Sequence, residues 1–250
     1  MHNFVITIAV FNAERWIERC LVSALDQEFG EGLSMRIMIV DDASTDRTYD
    51  IALKTLDGYE PHYSLWRNQS GQGALKNYRE MIGECADDEI IINLDGDDQL
   101  AHKRVLKRLA EEYSDPRVWM TYGSFNYDHE SRNPNGDARG MSAQVPPDRH
   151  NRTHGWSCSH LRTYYAWLFK KIREEDFLFE GKYFQAAPDL AIMYPMIEMC
   201  GPGHARYIPD VLYLYNAVNP LGEVKLRKEY IDRAVADIQA RAIYPCITGR

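Results

Sequence analysis

The sequence predicts an α/β protein with a mostly parallel sheet flanked by helices. Three observations lead to this fold class. Over residues 1–122, short β-branched runs alternate with segments whose apolar residues recur at helical spacing. Hydrophobic residues make up 45% and charged residues 26% of the 250 residues, which is the usage of ordinary globular proteins. No internal repeat or linker divides the chain, so we expect one domain over residues 1–250.

The elements of residues 1–122 can be assigned in order. Runs rich in β-branched or aromatic residues predict strands at 5–10, 36–40, 62–66 (the weakest), 89–94 and 118–122. Apolar faces at helical spacing predict helices over 16–25, 49–56, 75–85 and 105–113. Small polar residues precede three of these helices, so we expect Asn12 to cap the first, Ser44 or Thr45 the second, and Gly71 with Gly73 to open the third.

The pattern changes after Gly123. Residues 126–155 are rich in Asn, Gly, Pro, Asp and Arg and predict a long irregular insertion. Beyond it the spacing predicts a helix from Ser159 to about Phe169, a helix over 189–200, and two short strands at 205–208 and 211–215. An amphipathic helix is expected over the tail residues 224–242.

Charge and cysteine usage exclude several classes of protein. The net charge is −8, from 37 acidic and 29 basic residues, which argues against a nucleic-acid partner. The five cysteines lie far apart without a CxxC pair, so neither a disulfide framework nor a cysteine zinc site is expected. We expect free thiols in a reducing compartment, which favours a cytoplasmic location. The sequence contains no stretch typical of a transmembrane helix or a signal peptide.

An acidic cluster follows the predicted strand at 89–94. Asp95, Asp97 and Asp98 are separated only by Gly96, which is expected to allow a sharp turn. Carboxylates at the end of a buried strand repel one another unless a cation compensates them, and oxygen ligands suit Mg²⁺ or Mn²⁺. The alternative is a turn with solvated acids and no metal.

A second acidic pair, Asp41 and Asp42, follows the predicted strand at 36–40. One of these carboxylates could accept the ring N–H of a pyrimidine base, and the alternative is that the pair only caps the next helix. The carboxyl ends of neighbouring parallel strands meet at one crevice, so both acidic clusters should face it. A metal site beside a carboxylate that recognises a base would hold a nucleoside diphosphate.

Five sequence motifs, taken together, resemble those of a known family. They are Ala9-Val10-Phe11-Asn12, Ser23-Ala24-Leu25-Asp26-Gln27, Asp41-Asp42-Ala43-Ser44-Thr45-Asp46, the stretch from Asn68 to Asn77, and Asp95-Gly96-Asp97-Asp98. In this order and spacing they resemble glycosyltransferase family 2, whose members have the GT-A fold. The resemblance covers residues 4–100 well and 156–216 more loosely.

The resemblance implies a donor site for a nucleotide sugar. Ala9 and Phe11 would flank the base, and Asp42 or Asp41 would bind it, with uracil expected. Asp95 would lie near the ribose and the metal, Mn²⁺ or Mg²⁺. The full donor-binding set would be Ala9, Phe11, Asn12, Asp41, Asp42, Asn68, Lys76, Asp95 and Gly96. The metal would be held by Asp97, Asp98 and His160, with His154 as a poorer alternative to the histidine.

The family is inverting and therefore needs a base for the acceptor hydroxyl. The matching position is Asp189, at the start of the helix predicted over 189–200, although Pro188 replaces the acidic residue that usually precedes it. The alternative is that Asp189 only caps that helix. Arg162 could meet the diphosphate charge or be a solvated helix residue, and Trp156 could stack on a sugar or pack in the core.

These expectations predict a metal-dependent inverting transfer from a UDP-sugar to a hydroxyl of a glycan or glycoconjugate. Residues 1–122 would bind the donor, 123–220 would bind the acceptor and carry catalysis, and 221–250 would form a helical tail. Two other classes stay open. A nucleotidyltransferase would need a basic Gly-rich loop near the first strand, which residues 9–16 lack. The intact acidic residues argue against a non-catalytic binding module.

Overall fold

The computed structural model of the chain describes residues 2–60, 62–131, 158–220 and 228–249. The predictions for His154, for Trp156 and for most of the irregular insertion lie outside these residues, as does the beginning of the predicted tail helix. The strands are β1 (His2–Val10), β2 (Leu33–Asp41), β3 (Tyr63–Arg67), β4 (Ile90–Asn93), β5 (Gln99–Leu100), β6 (Met120–Tyr127), β7 (Arg162–Tyr165), β8 (Leu178–Phe179), β9 (Lys182–Tyr183) and β10 (Ala205–Tyr215).

The helices surround the sheet and confirm the predicted α/β class. They are α1 (Ile17–Leu25), α2 (Thr48–Leu56), α3 (Ala74–Gly83), α4 (Val105–Tyr113), α5 (Ala166–Phe169), α6 (Pro188–Cys200) and α7 (Lys228–Ala240), with a 3₁₀ turn at Glu174–Phe177. None of the helices in the described ranges is long and apolar enough to cross a membrane.

The main sheet has eight strands in the order β3-β2-β1-β4-β7-β6-β10-β5. β3, β2, β1 and β4 are parallel to one another, and β6 is parallel to β10, whereas β7 is antiparallel to both β4 and β6. β1 lies between β2 and β4, and Val5, Ile6 and Ile8 on it are completely buried. A strand buried on both faces explains why the run from Val5 to Val10 carries no charge.

The helix predicted from Ser159 is wrong in its first half. Residues 162–165 form β7, and only residues 166–169 are helical. Thr163, Tyr164 and Tyr165 are β-branched or aromatic, and pairing with β4 on one side and β6 on the other satisfies their backbone groups. Apolar spacing over so short a segment fits either a helix or a buried strand, so tertiary pairing decides between them.

The two strands predicted at 205–208 and 211–215 form the single strand β10. Its pairing with β6 is irregular between Ile208 and Val211. Pro209 lies at this irregularity and has no N–H to donate to a neighbouring strand, which explains the break in register. The predicted helix over 189–200 is confirmed as α6.

The predicted side-chain caps of α1 and α2 are also wrong, because Trp16 and Arg47 occupy the cap positions and neither makes a side-chain cap hydrogen bond. Asn12, Ser44 and Thr45 instead join the loops that follow β1 and β2. The backbone N–H of Asn12 donates to Ser44 Oγ (2.9 Å), and Asn12 Oδ1 accepts from the Thr45 N–H (2.8 Å). By contrast Gly73 directly precedes α3, as expected.

Candidate active site

The carboxyl ends of the sheet strands surround a cleft of about 810 Å³. Strands β1, β2 and β4 end there because they are parallel. β7 runs in the opposite direction and therefore begins there, with Arg162 paired to Asn93 of β4. β10 also ends there, at Tyr215. The topology thus brings five of the predicted donor residues to one place with His160, Arg162 and the first turn of α6. The volume is typical of a small-molecule site.

Asp42 lies at one end of this cleft and is held by the loop before α3. Its Oδ1 accepts hydrogen bonds from Asn68 Nδ2 (2.7 Å) and the Gln72 N–H (2.8 Å), and its Oδ2 accepts one from the Gly73 N–H (2.8 Å). Burial alone would raise the pKa of Asp42, but these hydrogen bonds lower it. The carboxylate is therefore charged and fixed in position.

Asp41 does not line the cleft. Its side chain is almost completely buried, Oδ1 accepts from the Ser44 N–H (2.8 Å), and Arg67 Nε lies 3.6 Å away. These contacts hold the Asp41 carboxylate within the loop that follows β2. Of the two acids after β2, only Asp42 lines the cleft.

The other predicted donor residues divide in the same way. Ala9, Phe11, Asp95 and Gly96 line the cleft, and half of the Phe11 surface is exposed. Asn12, Asn68 and Lys76 do not line it. Asn68 supports Asp42, and Lys76 Nζ donates to Gln72 Oε1 (2.6 Å).

Gly96 is required for a reason that differs from the expected sharp turn. Its φ is not in the left-handed region, unlike that of Gly73. A Cβ at position 96 would lie 2.6 Å from Val10 Cγ2 and 2.7 Å from Val10 Cβ. The acidic loop after β4 therefore packs against the end of β1 at a distance that only glycine allows.

Three side chains form a group that could hold a metal ion. Ligand atoms of Asp95, Asp98 and His160 all lie within 4.8 Å of one another. Asp97, which was expected in this group, lies outside it, because its Oδ2 accepts a hydrogen bond from Asn219 Nδ2 (2.7 Å). The structure thus brings together two of the three predicted ligands and replaces Asp97 with Asp95.

The electrostatics of this group fit a hard divalent cation. Burial, together with Asp97 and Asp95, raises the pKa of Asp98 well above its usual value. Burial and the nearby Arg162 hold the pKa of His160 well below its usual value, so the imidazole is neutral and can act as a ligand. Its buried Nδ1 has no hydrogen-bond partner among the described residues. Two carboxylates and an imidazole are a donor set that Mn²⁺ accepts.

Two tyrosines that sequence reasoning assigned only to apolar faces support these acids. Tyr213 donates from its hydroxyl to Asp98 Oδ2 (2.6 Å), and its ring stacks on His160 at 4.4 Å between centroids. The Tyr78 hydroxyl donates to Asp95 Oδ1 (3.1 Å). Tyr78 was recognised by its helical spacing and Tyr213 lies on a predicted strand, but no sequence signal indicated that either hydroxyl would reach the acids.

Asp189 lies in the first turn of α6 and lines the same cleft as the acidic group. Burial raises the pKa of its carboxyl, and Arg162 opposes that effect. Arg162 Nη1 lies 3.2 Å from Asp189 Oδ2. Ala187, just before the helix, has a left-handed φ of 53°, a conformation that costs energy for a residue other than glycine. The backbone just before α6 therefore adopts an uncommon conformation beside the cleft.

Curated proteins with related sequences match about half of the chain. It is 34% identical over 117 residues to an uncharacterized protein of Mycobacterium tuberculosis (47% of this chain, 34% of that protein). It is 28% identical over 120 residues to an N-acetylglucosaminyltransferase of Rhizobium meliloti (47% of this chain, 27% of that protein). These matches span about a third or less of the relatives' lengths.

Solved structures share the fold. S. aureus TarS superposes with a TM-score of 0.64 at 21% identity over 88% of this chain and 37% of that one. A shorter form of TarS in complex with UDP-GlcNAc gives 0.63 at 18% identity over 86% and 58%. The mannosyltransferase PcManGT of Pyrobaculum calidifontis, in complex with GDP-Man and Mn²⁺, gives 0.60 at 17% identity over 90% and 59%.

The family model for glycosyl transferase family 2 matches residues 5–177, which is more than half of the chain. This range contains β1, β2, β4 and β7, and with them the strand ends that carry Asp42, the acidic loop and His160. The predicted resemblance is thereby confirmed, and the chain belongs to glycosyl transferase family 2 and has the GT-A fold.

Proposed function

We propose that this chain transfers a sugar from a nucleoside-diphosphate sugar to an acceptor hydroxyl, with inversion at the anomeric carbon. One observation carries the proposal: Asp189 lines the same cleft as the group of Asp95, Asp98 and His160. A single displacement at the anomeric carbon requires two acidic sites in different environments. One site holds a cation, and the other accepts a proton.

The donor is proposed to be a UDP-sugar bound along the ends of β1, β2 and β4. Phe11 and Ala9 would contact the base, and the fixed carboxylate of Asp42 would accept its ring N–H. The relative named as an N-acetylglucosaminyltransferase and the TarS complex with UDP-GlcNAc support this donor class. They make UDP-GlcNAc the first donor to test.

The residues Asp95, Asp98 and His160 are proposed to hold Mn²⁺ or Mg²⁺. The Mn²⁺ complex of the mannosyltransferase supports this choice of ion. When bound, such a cation supplies charge stabilisation for the departing nucleoside diphosphate. Asp97 is proposed to support this group from a neighbouring position, where its carboxylate accepts a hydrogen bond from Asn219.

Asp189 is proposed to be the general base. Its carboxylate accepts the proton of the acceptor hydroxyl while that oxygen forms a bond to the anomeric carbon. The bond between the anomeric carbon and the diphosphate oxygen breaks in the same step, and the nucleoside diphosphate leaves with the electron pair. A raised pKa makes Asp189 a stronger base than an ordinary aspartate, which suits this role.

The remaining parts of the proposal concern organisation and location. Residues 1–122 would form the donor half, 123–220 the acceptor half and 221–250 the tail, with a glycan or glycoconjugate as acceptor. None of the five cysteines, which all lie in the described ranges, forms a disulfide, and four of them are buried, which supports a reducing, cytoplasmic location.

The test is a screen of UDP-GlcNAc and other nucleotide sugars by thermal shift, with Mn²⁺ or with EDTA, followed by hydrolysis and transfer assays. A ligand at a hundredfold excess over its Kd stabilises the native state by about 2.7 kcal/mol, which is a readily measured shift. We expect a Mn²⁺-dependent shift and release of UDP. Binding without turnover would favour a non-catalytic module, and reaction with a nucleoside triphosphate would favour a nucleotidyltransferase.

A further inference from the structure

Arg162 is a buried cation between the two acidic sites of the cleft. It is the first residue of β7, and its pairing with Asn93 places it beside the end of β4. Only 9% of its surface is exposed. Of the two alternatives for Arg162, that of a solvated helix residue is therefore wrong, because position 162 belongs to a central strand.

The Arg162 guanidinium contacts Asp189 and also His160 of the group that could hold a metal ion. Its Nη1 lies 3.2 Å from Asp189 Oδ2, and its Nη2 contacts His160 Nε2. Its Nε is buried and has no hydrogen-bond partner among the described residues. Burial alone would lower the pKa of Arg162, but Asp189 and Asp95 raise it, so the cation is stabilised by carboxylates of both sites.

Among the described residues, groups from three elements act on the charge of Asp189. Arg162 of β7 favours its ionised form, Asp95 after β4 opposes it, and the backbone N–H of Leu190 on its own helix also favours it. Burial in the cleft disfavours the carboxylate. Arg162 is the cation in direct contact, so removing it leaves a partly buried carboxylate that faces another acid.

We propose that Arg162 is the positioning residue for the general base, holding the Asp189 carboxylate charged and in place beside the donor site. This inference rests on the proposed function, in which Asp189 accepts the acceptor proton. Arg162 itself takes no part in proton transfer, since a guanidinium stays protonated at every pH of interest. Its effect reaches the reaction through Asp189.

The test compares Arg162→Gln, Arg162→Lys and the control Arg206→Gln over a range of pH. Arg206 lies on β10 of the same sheet and pairs with Glu112 and Asp115. In Arg162→Gln we expect the acidic limb of the kcat profile to move to higher pH and kcat at neutral pH to fall about tenfold or more. Arg162→Lys keeps the charge but not the planar fork, so its changes should be smaller. The control Arg206→Gln should leave the acidic limb of the kcat profile at the same pH as in the wild type.

Two results would overturn the inference. An unmoved acidic limb with wild-type kcat in Arg162→Gln would show that Asp189 does not depend on this cation. A higher KM for the donor with unchanged kcat and limb would assign Arg162 to the diphosphate instead. If Arg162→Gln does not fold, Arg162→Lys decides: a lower kcat at constant donor KM supports the inference, and an unchanged kcat and limb contradicts it.

A measurement without turnover separates this inference from the proposed function. In protein labelled with ¹³C at the aspartate carboxyls, the signal missing from Asp189→Asn identifies Asp189, and its titration is followed in wild type and in the Arg162 variants. We expect it to titrate at higher pH when the cation is lost. An unmoved titration contradicts the inference even if transfer is confirmed, and a moved titration supports it even if no sugar is transferred.

Discussion

The two halves of the cleft hold their functional side chains by different means. In the proposed donor half, Asp42 follows β2 directly and is fixed by backbone N–H groups of Gln72 and Gly73. In the proposed acceptor half, Asp189 forms a side-chain ion pair with Arg162, a residue 27 positions away in sequence on an antiparallel strand. The donor half is thus pre-organised by main-chain geometry, whereas the acceptor half is organised by charge.

This difference predicts how the halves respond to substitution. Main-chain hydrogen bonds survive most side-chain changes, so the region around Asp42 should be sensitive mainly where the backbone itself is crowded. Buried charges are costly when a partner is lost, so the acceptor half and the acidic loop should respond to single changes of charge. The following experiments test this contrast, beginning with the largest expected effect.

The first experiment compares Asp95→Asn with Asp97→Asn in the acidic loop. Asp95 belongs to the group that could hold a cation, and Asp97 is engaged with Asn219. Asp95→Asn should weaken Mn²⁺-dependent binding of the donor by about 10–100-fold, the range seen when the ligand environment of a metal is disturbed. Asp97→Asn should have the smaller effect. Calorimetry with and without Mn²⁺ measures both, and a larger loss in Asp97→Asn would return that residue to the metal site.

The second experiment tests backbone crowding in the donor half with Gly96→Ala. The added Cβ would lie 2.6 Å from Val10 Cγ2, so the free energy of unfolding should fall by about 1–3 kcal/mol. Gly30→Ala is the matched control, because the nearest atom to its Cβ would be 3.8 Å away. Urea denaturation measures both variants. Equal stability of the two would mean that the contact between the acidic loop and β1 is looser than described.

The third experiment concerns Asp97 and pH. Burial raises the pKa of Asp97 to about 6, whereas the unfolded chain keeps the ordinary value of 3.8. Between about pH 4 and pH 6 the native state therefore holds a proton that the unfolded state has released, and stability falls as the pH rises through this range. Because Asp97 is only partly buried, solvent screening limits the effect to the order of 1 kcal/mol.

Urea midpoints at pH 4 and pH 7, measured in EDTA, isolate this contribution. The loss of stability between the two values should be smaller in Asp97→Asn than in wild type, because the amide does not titrate. The same pH dependence in both proteins would show that Asp97 is ionised throughout.

The contrast between the halves also explains what the sequence could predict. The strands and helices of residues 1–113 are local patterns of period two or 3.6, so β1, β2, β4 and α1 to α4 were all anticipated. Their carboxyl ends follow from parallel topology, which is why the positions of Asp42 and the acidic loop on the cleft were correct. The fold and the presence of a cleft at the strand ends were therefore predictable.

Other features depend on contacts between distant residues. β7 is a strand because it inserts between β4 and β6, and this insertion brings Arg162 to Asp189. Asp41 and Asp42 have the same chemistry, and only the turn that binds Asp41 to the Ser44 N–H separates their roles. In the same way Asn219 draws Asp97 away from the group that Asp95 completes. No local pattern encodes these choices.

The central claim is that Asp189 is the general base for the acceptor hydroxyl, and the substitution Asp189→Asn tests it most directly. Transfer from UDP-GlcNAc, or from the donor that the screen selects, is measured in the presence of Mn²⁺, with donor affinity determined by calorimetry on the same preparation. The account predicts a loss of kcat of about 10²–10⁴-fold with donor affinity unchanged. Turnover equal to that of the wild type would contradict it.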